Sequence, residues 1–103
     1  GENAPTRICW GPNNRTVAIR LPRKPLDQKH LEHRVSGADA DIAQAMAALL
    51  IGTHWGLRQQ LLPPEAIHGD AAKPVYDVKA LPTNLEQASA AMDRAMFLAD
   101  YLN

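Results

Sequence analysis

The 103-residue sequence has a single cysteine, no net charge and no apolar stretch long enough to span a bilayer. One thiol, Cys9, excludes an internal disulfide, and nothing resembles a secretory signal, so the expected setting is reducing and cytoplasmic. The 11 basic and 11 acidic residues are interspersed. That pattern excludes a phosphate-tracking nucleic-acid surface and a polybasic membrane patch, and neither nucleic acid nor a membrane is an expected partner. Also missing are an internal repeat, a Gly-rich phosphate loop, Cys/His zinc spacing and a nucleophile elbow. The chain lacks an initial Met and opens Gly1-Glu2-Asn3-Ala4-Pro5 without start-of-domain character. A chain of this length is at most one small domain with a thin core, and it reads as a fragment of something larger.

What is present is organised around two short β-like runs. In Arg15–Leu21, Val17, Ile19 and Leu21 share one parity while Thr16, Ala18 and Arg20 share the other, the period-2 signature of a half-buried strand. Arg15 would then point with Val17 into the packed face, so it either precedes the strand or sits at a bulge. In His30–Val35, Leu31, His33 and Val35 fall on one face and His30, Glu32 and Arg34 on the other, which aligns a carboxylate and a guanidinium. Such a face is either a solvated cross-strand ion pair or a chemically capable polar surface, and Arg15 and Arg20 of the first run could converge on one anion. The two histidines flanking Glu32 point to opposite faces of a strand, so at most one could join it at a metal ion. Thr6–Trp10 is β-prone, and the turn signal Gly11-Pro12-Asn13-Asn14 predicts a hairpin between it and Arg15–Leu21.

Beyond Ser36 the period changes from 2 to 3.6. Asp41 followed by Gln44 forms a capping-box pattern, and Ile42, Met46, Leu49, Leu50 and Leu57 recur at helical spacing up to Pro63-Pro64, predicting a helix over about 41–60. Its middle is apolar almost all round, which predicts burial on more than one side. Residues 63–82 read as loop, long for a compact small domain. Thr83-Asn84-Leu85-Glu86 is a second capping box, and Ala88, Met92, Ala95, Ala99 and Leu102 predict a helix over about 85–102 with a small-residue stripe. The fold class expected is α+β: short antiparallel strands over about 6–35, then two helices.

Two stretches then carry a resemblance. Trp10-Gly11-Pro12-Asn13-Asn14-Arg15-Thr16-Val17-Ala18-Ile19-Arg20-Leu21-Pro22 and His30-Leu31-Glu32-His33-Arg34-Val35-Ser36-Gly37-Ala38-Asp39-Ala40, with the helices that follow, resemble the C-terminal part of the catalytic domain of the glutamine synthetase family. They look most like the branch of γ-glutamylpolyamine synthetases and related γ-glutamylamide ligases. The resemblance covers nearly all of this chain and about the last quarter of the family's length. It implies residues 1–103 are a C-terminal fragment of that catalytic domain, in an enzyme that activates glutamate with ATP as γ-glutamyl phosphate and lets ammonia or an amine displace the phosphate, with two Mg²⁺ or Mn²⁺ ions. Carried over residue by residue, Glu32 is a metal ligand, Arg34 contacts the glutamyl or transferred phosphoryl group, and Arg15 and Arg20 hold the ATP phosphates, Arg15 acting in catalysis as well. A ring-forming homo-oligomer is implied for the full-length protein.

The sequence also departs from the family. Asp41-Ile42-Ala43 stands where members usually have Asn-Pro-Tyr, and His30 where many have Arg. The family's β-grasp domain and its remaining metal-ligating residues have no counterpart here, so the isolated fragment is expected to be inactive. The competing reading is a non-catalytic structural or interaction module derived from this domain.

Overall fold

The computed structural model describes residues 4–95 and residue 100. Its architecture is α+β: a three-stranded sheet of order β1-β2-β3 and two helices. The chain divides into two units, a strand unit drawn from Gly1–Val35 and Pro63–Leu81 and a helical unit drawn from Ser36–Leu62 and Pro82–Asn103.

In the strand unit, β1 (Trp10–Pro12) runs parallel to β2 (Ile19–Leu21), and β2 runs antiparallel to β3 (Glu32–His33). The expected hairpin before β2 therefore does not form. Asn13 takes a left-handed conformation at φ 51°, and residues 13–18 carry the chain back to the start of β1 instead of alongside it. Parallel neighbours usually need a dozen or more connecting residues. The short return works here because Val17 and Ala18 turn inward within it, at 0% and 6% exposure. The Ile19 amide then donates to the Cys9 carbonyl (3.1 Å), and the Asn13 amide to the Leu21 carbonyl (2.7 Å), closing the parallel ladder. Arg15 precedes the strand, one of the two placements its parity allowed.

The segment Thr6–Ile8, left without a hairpin partner, pairs with residues 79–81: the Ile8 amide donates to Lys79 (2.7 Å) and the Leu81 amide to Thr6 (2.9 Å). Residues 63–82 are thus not structureless. They contain a 3₁₀ turn, Pro74–Tyr76, and supply half of the core, in which Ile67 and Ala71 meet Cys9 and Val17 with Tyr76 and Val78 packed alongside. Gly11 is required where β1 passes this segment, because a Cβ there would overlap the Ile67 carbonyl oxygen. Ile8, Trp10, Ile19, Leu21, Leu31 and Val35 line an open apolar groove of about 630 Å³ in the strand unit. The shared face of Leu31, His33 and Val35 read from parity is this groove.

In the helical unit, α1 spans Ile42–Arg58. Its N-cap is Asp41, whose carboxylate accepts from the Gln44 amide at 3.0 Å. At the other end Gln60 adopts φ 55°, and the Leu61 and Gln60 amides donate to Gly56 and Leu57, the paired bonds of a Schellman cap. The expected burial of α1 is not seen: none of its residues is buried, and Ile42 and Leu57 are 79% and 76% exposed. The apolar pattern specifies a covering surface that the described residues do not supply. α2 spans Leu85–Ala95. Its cap is Asn84, not Thr83: the Asn84 side chain accepts from the Gln87 amide (2.8 Å), while Gln87 reaches back to the Thr83 amide (3.0 Å). The expected continuation through Ala99 and Leu102 falls on positions outside the described residues. Among the described residues no helix is long and apolar enough to cross a membrane.

Candidate phosphate and metal site

The antiparallel register sets Arg20 of β2 directly opposite Glu32 of β3. Arg20 Nη1 donates to both carboxylate oxygens, at 3.0 Å to Oε2 and 3.2 Å to Oε1, and Nη2 donates to Asn13 Oδ1 at 2.8 Å. The arginine side chain is 17% exposed and the glutamate 39%, so the pair lies in the sheet surface with the carboxylate on its open side. Arg20 Nε is buried and makes no hydrogen bond among the described residues. The hydrogen bond from Arg20 holds the Glu32 carboxyl below its ordinary pKa of 4.5; partial desolvation opposes the shift, and the charges of Arg20, His30 and Arg34 add to it. Glu32 is therefore an anion, ready to act as a hard oxygen donor.

Arg34 follows on the same parity. Its amide donates to the Ala18 carbonyl at 2.8 Å, continuing the β2–β3 pairing, and its side chain is half-buried. The structure thus brings Arg20, Glu32 and Arg34 together. Arg15 is placed apart. It is exposed on the return loop, lining with Asn13, Thr16, His68 and Asp70 a polar concavity of about 560 Å³. Among the described residues its guanidinium has neither an ion-pair nor a hydrogen-bond partner. Asn13 belongs to both places, bonded to Arg20 and lining the concavity of Arg15.

Divalent hard cations take six or more oxygens. Among the described residues no group of three or more His, Cys, Asp or Glu could hold one. His30 is turned to the Gln28 carbonyl (2.9 Å). The donor set present thus fits one ligand of a Mg²⁺ or Mn²⁺ site rather than a complete site.

The sequence singles out Arg15, Arg20, Glu32 and Arg34 but not the amides and hydroxyl that secure Arg20 and the loop around Arg15. Asn13 secures Arg20, while Asn14 and Thr16 tie the return loop to residues 67–71. The signal was available: Asn and Thr in a turn compete for nearby backbone groups, and Asn13-Asn14-Arg15-Thr16 places three such side chains around the exposed arginine.

With a mixed sheet presenting arginines around one carboxylate, the chain belongs to the family defined by the glutamine synthetase catalytic domain, which matches residues 1–103. Within it, the chain is 37% identical over 90 residues to gamma-glutamylputrescine synthetase PuuA of Escherichia coli (strain K12), a match covering 87% of this chain and 18% of that protein. It is 34% identical over 89 residues to gamma-glutamylethanolamide synthetase GlnA4 of Streptomyces coelicolor, covering 86% of this chain and 19% of that protein. To glutamine synthetase of Thermotoga maritima it is 25% identical over 108 residues, covering 99% of this chain and 25% of that protein. The first two relatives match the γ-glutamylpolyamine synthetase-like branch. The chain spans about a fifth of their length.

Proposed function

We propose that this chain is the C-terminal part of the catalytic domain of an ATP-dependent ligase that joins glutamate to an amine through γ-glutamyl phosphate. The observation that carries the reading is the convergence of Arg20, Glu32 and Arg34 on one face of β2 and β3. In the reaction, the glutamate γ-carboxylate attacks the terminal phosphorus of ATP and ADP leaves; the amine then attacks the acyl carbon, phosphate leaves, and the amine nitrogen gives up a proton. Both steps move charge among phosphoryl oxygens, so positioned cations are the main catalytic resource.

Arg20 and Arg15 grip the nucleotide phosphates, a task suited to the multi-donor guanidinium. Arg34 holds the glutamyl or transferred phosphoryl oxygens. Glu32 contributes one ligand to a divalent cation, Mg²⁺ or Mn²⁺, which when bound neutralises phosphate charge. Engaging the cation and the phosphates requires Glu32 and Arg20 to trade their mutual contact for these partners, which their partial exposure permits. Ammonia and organic amines are the candidate acceptors; higher identity to the two amide synthetases than to the glutamine synthetase favours an amine. The remaining ligands and the second cation come from the rest of a full-length protein that works as a cytoplasmic ring-forming homo-oligomer, and the chain alone is inactive.

The test is product formation by the full-length protein with glutamate, ATP and Mg²⁺, offered ammonia, putrescine, ethanolamine and isopropylamine in turn. A γ-glutamyl amide formed together with ADP and phosphate is expected. A folded full-length protein that yields none with any of these amines, nor glutamine with ammonia, would point instead to the non-catalytic module.

A further inference from the structure

The return loop between β1 and β2 alternates in a way the reaction alone does not explain. Asn14 and Thr16 are half-buried while Arg15 between them is exposed. Across from them, Ile67 and Ala71 are core residues while His68 and Asp70 are exposed. The inward residues of one loop bind the other. Asn14 Nδ2 donates to the carbonyls of Ile67 (2.9 Å) and Gly69 (2.8 Å), and its Oδ1 accepts from the Thr16 amide (2.9 Å) and the Thr16 hydroxyl (2.8 Å). The Thr16 hydroxyl in turn accepts the Ala71 amide at 3.0 Å, with the Gly69 carbonyl at 3.3 Å as the alternative acceptor for its one proton. Every donor and acceptor site of the Asn14 amide is thereby used.

We propose that Asn14 and Thr16 are positioning residues that fix Arg15 against the 67–71 loop, presetting its guanidinium for the anion it binds. This inference rests on the reading that Arg15 holds nucleotide phosphate. With no ion-pair partner for Arg15 among the described residues, its aim depends on its backbone. Here both flanking side chains tie that backbone to a segment whose ends, Ile67 and Ala71, are fixed in the core. His68 and Asp70 stand in the same concavity as Arg15, and Asp70 Oδ1 is turned to the Ala72 amide at 3.0 Å, which keeps that oxygen occupied locally.

Thr16→Val keeps the shape and removes the hydroxyl; Thr16→Ser keeps the hydroxyl. In the full-length protein, calorimetric binding of a non-hydrolysable ATP analogue is measured for both, with and without Arg15→Ala. We expect Thr16→Val to weaken binding on the order of 10- to 100-fold, the scale of an ångström-sized misplacement. Thr16→Ser is expected to restore most of it, and Thr16→Val to cost nothing further when Arg15→Ala is present. Hydrogen exchange at the Ala71 amide is expected to quicken in Thr16→Val in either background. Asn14→Asp, which sets an anionic oxygen against the Ile67 and Gly69 carbonyls, should behave like Thr16→Val; if it fails to fold, the Thr16 pair still decides. Wild-type affinity in Thr16→Val, or a loss that persists undiminished beside Arg15→Ala, overturns the positioning role. If Arg15→Ala itself leaves affinity unchanged, the phosphate reading of Arg15 has failed and the positioning role falls with it, an outcome distinct from a failure of Thr16 alone.

Discussion

The strand unit and the helical unit are built on opposite principles. In the strand unit, residues more than fifty positions apart in sequence meet: Asn14 with Ile67 and Gly69, and Thr16 with Ala71. Its core of Cys9, Val17, Ile67 and Ala71 is assembled from both segments. In the helical unit, α1 and α2 have no buried residue, and their order comes from caps made within a few positions of each end. Chemistry that needs fixed geometry resides in the first. The second offers apolar faces, as at Ala47, Leu50, Ile51 and Leu57 of α1. Long-range closure fixes the arginines and Glu32, whereas local capping only sets where helices begin and end.

That contrast can be broken by mutation, and the largest effect should come from the shared core. Ile67→Ala removes a side chain 6% exposed that joins the two segments of the strand unit, and should cost about 3 kcal/mol in the unfolding of that unit. Amide exchange at Ile19 and Ile67 should quicken while α1 amides are unaffected; equal loosening of α1 would erase the distinction between the units. Next in size is Asp41→Ala, which leaves the Gln44 amide uncapped and should cost about 1 kcal/mol. The loss should appear in far-ultraviolet circular dichroism and in exchange of the first-turn amides of α1, with the strand unit unchanged.

A smaller gain is expected from Gln60→Gly. Gln60 sits at φ 55°, where a side chain is disfavoured and glycine is at ease, so the α1 terminus should gain about 0.5 kcal/mol after glycine's own entropy is set against the relief. Helix content that falls on this substitution would show that the Schellman cap does not form. The smallest effect is a pH dependence confined to the strand unit. Glu32 has its folded pKa depressed below 4.5 by Arg20, so the stability it contributes is present above that value and is lost as pH falls through the depressed folded value. Arg20→Ala should flatten this part of the acid profile. A profile unchanged by Arg20→Ala would mean that the pair is not formed in solution.

How much the sequence disclosed follows the same division. The start of α1 at Asp41 and its end before Pro63 were legible because caps and breakers act on adjacent residues. Even there, the register slipped at α2, where Asn84 took the cap that Thr83 was expected to take, since both residues offer a suitable oxygen one position apart. The faces of β3 were also legible, because parity needs no knowledge of the partner strand: Leu31 and Val35 do line an apolar groove, and Glu32 and Arg34 do share the polar side. Pairing was not legible. Nothing local distinguishes an antiparallel hairpin from the parallel return through Asn13. The choice is made by burial of Val17 against Ile67 and Ala71, some fifty positions away. The partner of Glu32 was hidden for the same reason. Arg20 and Glu32 meet only once β2 and β3 are in register.

In the proposed function the Glu32 carboxylate, held ionised beside Arg20 and Arg34, is part of the ligase machinery and not merely a cross-strand ion pair. The most direct test is the rate of ATP-dependent γ-glutamyl-amide formation by the full-length protein carrying Glu32→Ala, read beside its melting temperature and that of the wild type. Loss of one contact where charge builds during phosphoryl transfer should lower the rate on the order of 10²- to 10³-fold, with little change in melting, since the pair is partly exposed and such pairs add little to stability. A rate equal to that of the wild type would show that the metal-ligand role does not extend to Glu32.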